Sequence, residues 1–296
     1  MRQVNRDRTD AADAQTRSGE QAVVNWSVYR RLLTTVRLRV CASSVLCVCA
    51  SVAAAQAPIS DNSFFIEEAY NQEAGVVQHI SAFVRPRSGG EWLYAFTQEW
   101  PVGSERHQLS LTLPVQHLSG LTRVADIALN YRYQLVGPGG RAAVAPRLSL
   151  FLPTGDHEQR VGAGAWGLQV NLPVSVTFGS RLVTHWNAGA AVTPSAKDPL
   201  GQTATIRAYN LGGSAIWLIR PAFNLVVEAV WVRGEEVTAP GTTVAREEFF
   251  INPGIRWAHD FSSGLQIVPG IAFPIGVGAS RGDQSVFLYL SFEHPF

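Results

Sequence analysis

The chain has 296 residues and a formal charge of +1, which removes the electrostatic case for a nucleic-acid partner. Apolar residues make up 46% of it, too few for a bundle of membrane-spanning helices and ordinary for a soluble protein, so the class has to be read from pattern.

Residues 1–28 are polar and aperiodic. A basic segment follows with Arg30, Arg31, Arg37 and Arg39, then an apolar run at 40–54, closed by Ala53-Ala54-Ala55-Gln56. That order is a secretory signal peptide, expected to be cleaved after Ala55. The run is shorter than the ~20 residues of a spanning helix. The stretch ahead of Val28 is long for a signal, so a start near Val24 or Val28 competes with a functional extension. The Arg30-Arg31 pair is only a weak twin-arginine signal. All three cysteines, Cys41, Cys47 and Cys49, fall inside the signal, and Leu46 before Cys47 spoils a lipoprotein box. The mature chain then has no disulfide and no thiolate metal site. Cleavage leaves 16 basic against 19 acidic residues.

Residues 56–74 carry Asp61, Glu67, Glu68 and Glu73. They form either a loosely held periplasmic N-terminal arm, the plainer reading for a terminus, or a plug folded back into a lumen.

After Gly75 the apolar period becomes two. Twelve candidate strands follow, at 75–84, 91–101, 105–116, 121–136, 141–154, 164–178, 181–193, 206–220, 222–232, 246–259, 264–275 and 284–295. Most exceed the ~9–11 residues that cross the hydrocarbon at a tilt. An even number is what single-chain bacterial barrels have. In the third strand Leu109, Leu111, Leu113 and Val115 alternate with Gln108, Ser110, Thr112 and Gln116. In the ninth, Leu225, Val227, Ala229 and Trp231 alternate with Asn224 and Glu228.

Charges decide between barrel and sandwich. No Asp, Glu, Lys or Arg falls on the central apolar face, whereas Glu99, Asp126, Arg132, Arg147, Glu228, Glu248, Arg256 and Glu293 fall on the other. A Lys or Arg at the lipid midplane costs ~2–4 kcal/mol, while a lumen is free to be polar. Joins also alternate. Gly103-Ser104, 137–140, Gly179-Ser180, Arg220-Pro221 and 260–263 are short; 155–163, 194–205, 234–245 and 276–283 are longer, and 117–120 breaks the rule. Short periplasmic turns and longer outer loops are the barrel asymmetry. Tryptophans such as Trp92, Trp186, Trp217 and Trp257 suit interface girdles. Pro114, Pro173, Pro253 and Pro269 lie within strand patterns and predict bulges or early strand ends there.

The last strand, QSVFLYLSFEHPF, puts Leu288, Leu290, Phe292 and Phe296 on one face and Tyr289, Ser291 and Glu293 on the other. That apolar face is the expected contact for barrel-assembly machinery. The fold expected is all-β: a closed antiparallel transmembrane β-barrel of about twelve strands at 75–296, behind a signal at 1–55 and an arm or plug at 56–74. Its place is the outer membrane of a Gram-negative bacterium, in contact with membrane lipids and lipopolysaccharide.

The stretches NSFFIEEAYNQEAGVVQHI, YAFTQEWPV, VADIALNYRYQL, PRLSLFLPTGD and HWNAGAAVTP, with the aromatic closing strand, resemble an outer-membrane family labelled as meta-pathway phenol-degradation or transporter-like proteins. The resemblance covers nearly all of 63–296. It implies an exported outer-membrane barrel and carries no assigned catalytic residues.

Other motifs weigh little. Residues 162–167 match G-x-G-x-x-G, but a strand and not a helix follows, so no dinucleotide site is expected. Arg281-Gly282-Asp283 is a tripeptide at chance level, and Asp156-His157-Glu158 reads first as a solvated loop. His185 lies on lumen parity beside Asn187, as do Ser149, Ser175 and Ser214, yet G-x-S-x-G is absent; no catalytic residue, cofactor or metal is expected. The functional expectation is a passive channel for small solutes, aromatic or amphiphilic ones among them. Glu99, Asp126, Arg132, Arg147, His185, Glu228, Glu248 and Arg256 would line its lumen. The competing classes are a lipid-modifying barrel enzyme and a non-conducting structural or adhesive barrel.

Overall fold

The computed structural model describes Ile59 and residues 63–295; the signal peptide and Phe296 fall outside the described residues. Twelve strands make one ring: β1 (Val76–Pro86), β2 (Trp92–Val102), β3 (Ser104–Leu118), β4 in two pieces (Leu121–Val124 and Ala128–Tyr133), β5 in two pieces (Ala142–Val144 and Arg147–Phe151) and β6 (Gly167–Phe178). The ring continues with β7 (Leu182–Lys197), β8 (Thr203–Arg220), β9 (Phe223–Ala239), β10 (Thr242–Trp257, then His259–Asp260), β11 (Gln266–Ala272, then Ile275–Gly276) and β12 (Ser285–Pro295). Neighbours are antiparallel throughout. The β12–β1 seam runs from Val76↔Pro295 to Pro86↔Ser285, and β11 joins β10 to β12, so no edge is left open. Among the described residues no helix is long and apolar enough to cross a membrane.

The outward parity is apolar. Leu129, Leu148, Val170, Leu211, Val227 and Leu288 each expose 44–57% of their surface. In water a belt of this extent would drive association; in hydrocarbon it is at rest. Arg207 also has outward parity on β8, ten residues from Trp217. That is roughly 33 Å along the strand, or about 25 Å along the normal at barrel tilt, the height of the apolar band. Trp217 and Arg207 therefore mark opposite interfaces. At the Arg207 level the outer face turns charged: Arg207 lies 3.9 Å from Glu235, and Arg233 lies 3.5 Å from Glu247.

Two of the expected long loops are absent. Residues 194–205 and 234–245 are mostly ladder, with Thr203↔Lys197 and Glu236↔Val244 in register, and the turns shrink to 198–202 and 240–241. The alternation weakens there because the outer face is wet, while Ala196, Ala204 and Val237 are still buried with Ala163 and Ile206 and backbone pairing continues. Arg246 Nε to Glu236 Oε1 at 3.0 Å ties the β9–β10 extension across the ladder. The short join 119–120 is a two-residue turn with positive φ at both Ser119 and Gly120, the I′ pattern that suits strand twist.

The prolines also behave differently from expectation. Pro114, Pro173 and Pro253 stay in register with Ala95, Asn187 and Val227, without bulges. The interruption falls in the strand on their other side. Their carbonyls accept Ala125 N, Ala145 N and Phe273 N, each within a break of β4, β5 or β11. A residue's N–H and C=O point to the same neighbour, so the missing donor thins that neighbour's ladder. Pro269 likewise lies where β10–β11 pairing lapses between Gly270 and Ile267.

The interior is not uniformly polar. Val226, Ile216, Phe250, Val268, Phe287 and Tyr289 are buried on the inward parity and pack with Val84 on β1. Buried amides and hydroxyls are concentrated on β3 to β7, while the buried charges are spread from Glu99 on β2 to Arg256 on β10. Both sides close on one inserted segment.

Candidate functional site

The expectation of a loosely held periplasmic arm does not match the structure: residues 63–72 run inside the ring. An irregular segment buried there has to satisfy its own amides and carbonyls. Inward side chains of five strands do so, β3, β4, β6, β7 and β9. Ile59 donates to the Pro221 carbonyl at 3.3 Å, at the turn between β8 and β9, and accepts from Asn224. The chain then turns tightly, Ser63 N to Ile66 O at 3.2 Å. At that turn one oxygen of Glu228 accepts the amides of Phe64, Phe65 and Ile66 at 3.0, 2.8 and 3.0 Å, while Asn252 donates to its other oxygen at 2.6 Å. Asn187 accepts Glu67 N and donates to Glu67 O, both at 2.9 Å. Gln134 accepts Asn71 N at 2.8 Å and donates to Ala69 O at 2.6 Å. Gln108 accepts Gln72 N at 2.7 Å. Arg132 donates to the carbonyls of Glu68 and Tyr70 and to Asn71 Oδ1.

The wall is cut to the arm's shape. A Cβ on Gly212 would sit 2.4 Å from Ile66 Cδ1, and one on Gly254 would sit 2.5 Å from the Phe64 ring. Phe64 in turn packs edge-on against Phe287 and Tyr289.

The residues singled out from sequence divide into three groups. Glu99, Arg132, His185, Glu228 and Arg256 are buried inside the ring. Glu99 accepts Gln108 Nε2 at 2.6 Å and lies 3.6 Å from Arg132, which balances its charge. Asp126 sits in the break of β4 and braces a loop, accepting Gly155 N at 2.9 Å and Ala163 N at 2.7 Å. The G-x-G-x-x-G stretch is part of that braced loop and leads into β6. Glu248 is half-buried opposite Val232, towards the rim where the long hairpins project. On the outside, Leu288 and Leu290 are exposed and Phe292 stacks on His79.

His185 Nδ1 lies 2.7 Å from Ser175 Oγ, which also accepts Ala69 N at 2.7 Å. Ser175 Oγ thus bridges the imidazole and the arm, and both side chains are fully buried. The pair anchors the arm. Sequence reading missed Gln108, Gln134 and Asn187 as arm-holding groups. Their signal was their inward parity next to a terminal segment with no period of its own.

On the loop side of the Phe64–Glu67 turn the lumen opens into a vestibule of about 170 Å³. Val84, Leu93, Val230 and Phe287 make one wall with the arm's Phe65, and Arg147, Gln169, Asn171 and Asn210 make the opposite one. Arg147 donates to Asn130 Oδ1 at 2.9 Å and to Gln169 Oε1 at 3.1 Å, and its Nη2 lies 2.7 Å from Glu67 Oε1. Among the described residues, the charged side chains that line it are Arg147 and the arm's Glu67.

An outer-membrane channel from Pseudomonas putida F1 has a similar fold, with a TM-score of 0.58 at 13% identity over 77% of this chain and 98% of that one. The NanC porin matches with a TM-score of 0.48 at 7% identity over 74% and 100%, and the KdgM porin with 0.46 at 8% over 74% and 99%. No protein-family model and no curated protein matches the chain. Likeness at this identity speaks for architecture alone, and the architecture is the closed antiparallel barrel of outer-membrane proteins.

Proposed function

We propose that the protein is a porin-like channel of the Gram-negative outer membrane, moving small aromatic or amphiphilic solutes passively, inward or outward. The observation that carries this reading is the vestibule, apolar on one side and amide-lined on the other, continuous with a lumen closed by residues 63–72 of the protein's own chain. An amphiphile presents the same two faces. The family resemblance in the sequence, with its phenol-degradation label, supports the same solute class. Solute-swelling assays on reconstituted protein test it: aromatic acids entering faster than sugars of equal mass support the reading, and equal exclusion of both counts against it.

The filled lumen favours one second reading, a non-conducting structural barrel. In planar bilayers the channel reading expects current steps that grow when the arm is loosened. The structural reading expects none before or after loosening.

A further inference from the structure

We propose that the vestibule binds a small amphiphilic carboxylate, whose head takes the place of the Glu67 carboxylate on Arg147. The inference deepens the channel reading and rests on it for the ligand's route to the site. Four observations carry it.

The Glu67–Arg147 pair is the arm's side-chain contact with the polar wall of the vestibule, and it is reachable: the side chains are 30% and 17% exposed. The Glu67 backbone is held independently by both ends of the Asn187 amide, so its carboxylate can leave Arg147 while the arm stays on the wall. Next, Glu67 engages the guanidinium at Nη2, while Arg147 Nε is buried without a hydrogen-bond partner. A guanidinium offers five donors in a planar fork, and a carboxylate approaching along the Nε–Nη2 edge satisfies two at once. Once Glu67 withdraws, a free carboxylate can therefore take an edge that the resident one uses at a single nitrogen.

The third observation is electrical. An arginine inside a low-dielectric lumen is costly to leave unpaired, so exchanging one carboxylate for another keeps the balance that a neutral or cationic guest would break. The fourth is the opposite wall. Phe65 and Phe287, in edge-to-face contact at 4.6 Å between ring centres, border the space beyond the guanidinium and receive an aromatic ring or short alkyl body. Glu67 is then a tethered competitor, present at the high effective concentration of any intramolecular group.

The test is calorimetric titration of the folded mature protein in non-ionic detergent with benzoate, benzyl alcohol and benzylammonium. Heat-modifiable gel migration reports that each variant is folded. Benzoate is expected to bind best. Glu67→Gln, which removes the tethered competitor, is expected to tighten benzoate at least tenfold. Arg147→Met is expected to weaken it at least tenfold, with benzyl alcohol indifferent to both. Unchanged benzoate affinity in Glu67→Gln, or affinity retained in Arg147→Met, overturns the proposal. If Arg147→Met does not fold, Arg147→Lys decides: it keeps the charge and loses the fork, so parental affinity refutes the site. Binding is read without transport. Benzoate bound in this order by a protein that passes no current sinks the channel reading and leaves the site; current without benzoate binding does the reverse.

Discussion

Glu228 holds Phe65 by its backbone: one carboxylate oxygen lies 2.8 Å from the Phe65 amide, and the amides of Phe64 and Ile66 converge on the same atom. Three successive N–H groups on one oxygen make an anion nest whose anion belongs to the barrel wall. The turn of the arm is thereby fixed by a single buried side chain.

Glu228→Gln keeps the shape and removes the charge. A neutral amide accepts the three N–H groups more weakly, and its NH2 group either faces Asn252 Nδ2, donor against donor, or turns toward the arm. Losing charge-assisted hydrogen bonds costs about 2–3 kcal/mol here. Amide exchange at Phe64 to Ile66 should accelerate about 30- to 150-fold, with little change in the β3–β5 ladder. Exchange that stays at the parental rate at these three amides would show that the turn is held by packing instead.

Arg132 and Arg147 act together on the lumen's charge. Arg132 neutralises Glu99 and ties down three acceptors of the arm, and Arg147 neutralises Glu67. The double variant Arg132→Ala with Arg147→Ala leaves those two carboxylates without their cations. Removing one partner of a buried pair costs about 3–5 kcal/mol, mostly from the arm's attachment. Single-channel conductance should rise, and the reversal potential in a salt gradient should shift toward cation selectivity. Conductance and selectivity both unchanged would remove these arginines from the conduction path.

Much of this barrel is legible in its sequence, and the reason is solvent. Where lipid meets one face and a polar lumen the other, as on β3 with Leu109 against Gln108, alternation is enforced residue by residue. Where the hairpins of β7 to β10 rise above the bilayer, Glu236 and Arg246 are tolerated on a continuing ladder and the period lapses. Val226 and Val230, alternating with Asn224 and Glu228 inside β9, blur the inner face, because part of the lumen is a core against Phe64 and Ile66. The arm was the least legible part. Its backbone is irregular and finds its partners in side chains scattered from Gln108 to Glu228, so no local pattern in 63–72 announces where it lies.

Ser175→Ala tests whether the Ser175–His185 pair serves the arm or a reaction. The substitution takes the acceptor from Ala69 N and leaves His185 Nδ1 facing a methyl group. About 1–3 kcal/mol of attachment is lost, seen as faster exchange at Ala69 and its neighbours. Phospholipid hydrolysis by the reconstituted parent that vanishes in Ser175→Ala and in His185→Ala would instead support the enzyme class.

Gly212→Ala probes the fit between wall and arm. The new methyl group would stand 2.4 Å from Ile66 Cδ1 and 2.9 Å from the Ala229 carbonyl. Neither distance is compatible with van der Waals contact, so the side chain on the arm has to move first. Overpacking costs typically about 1–3 kcal/mol, and its expected result is a displaced Ile66, faster exchange at Phe65 to Glu67 and more frequent channel openings. Ile66→Ala added to Gly212→Ala removes the larger of the two clashes while keeping the small one with the backbone. Partial return of exchange protection in the double variant is therefore the decisive outcome. If the second substitution only adds to the loss, wall and arm are not in contact at this point, and the close approach at Gly212 serves the strand pairing alone.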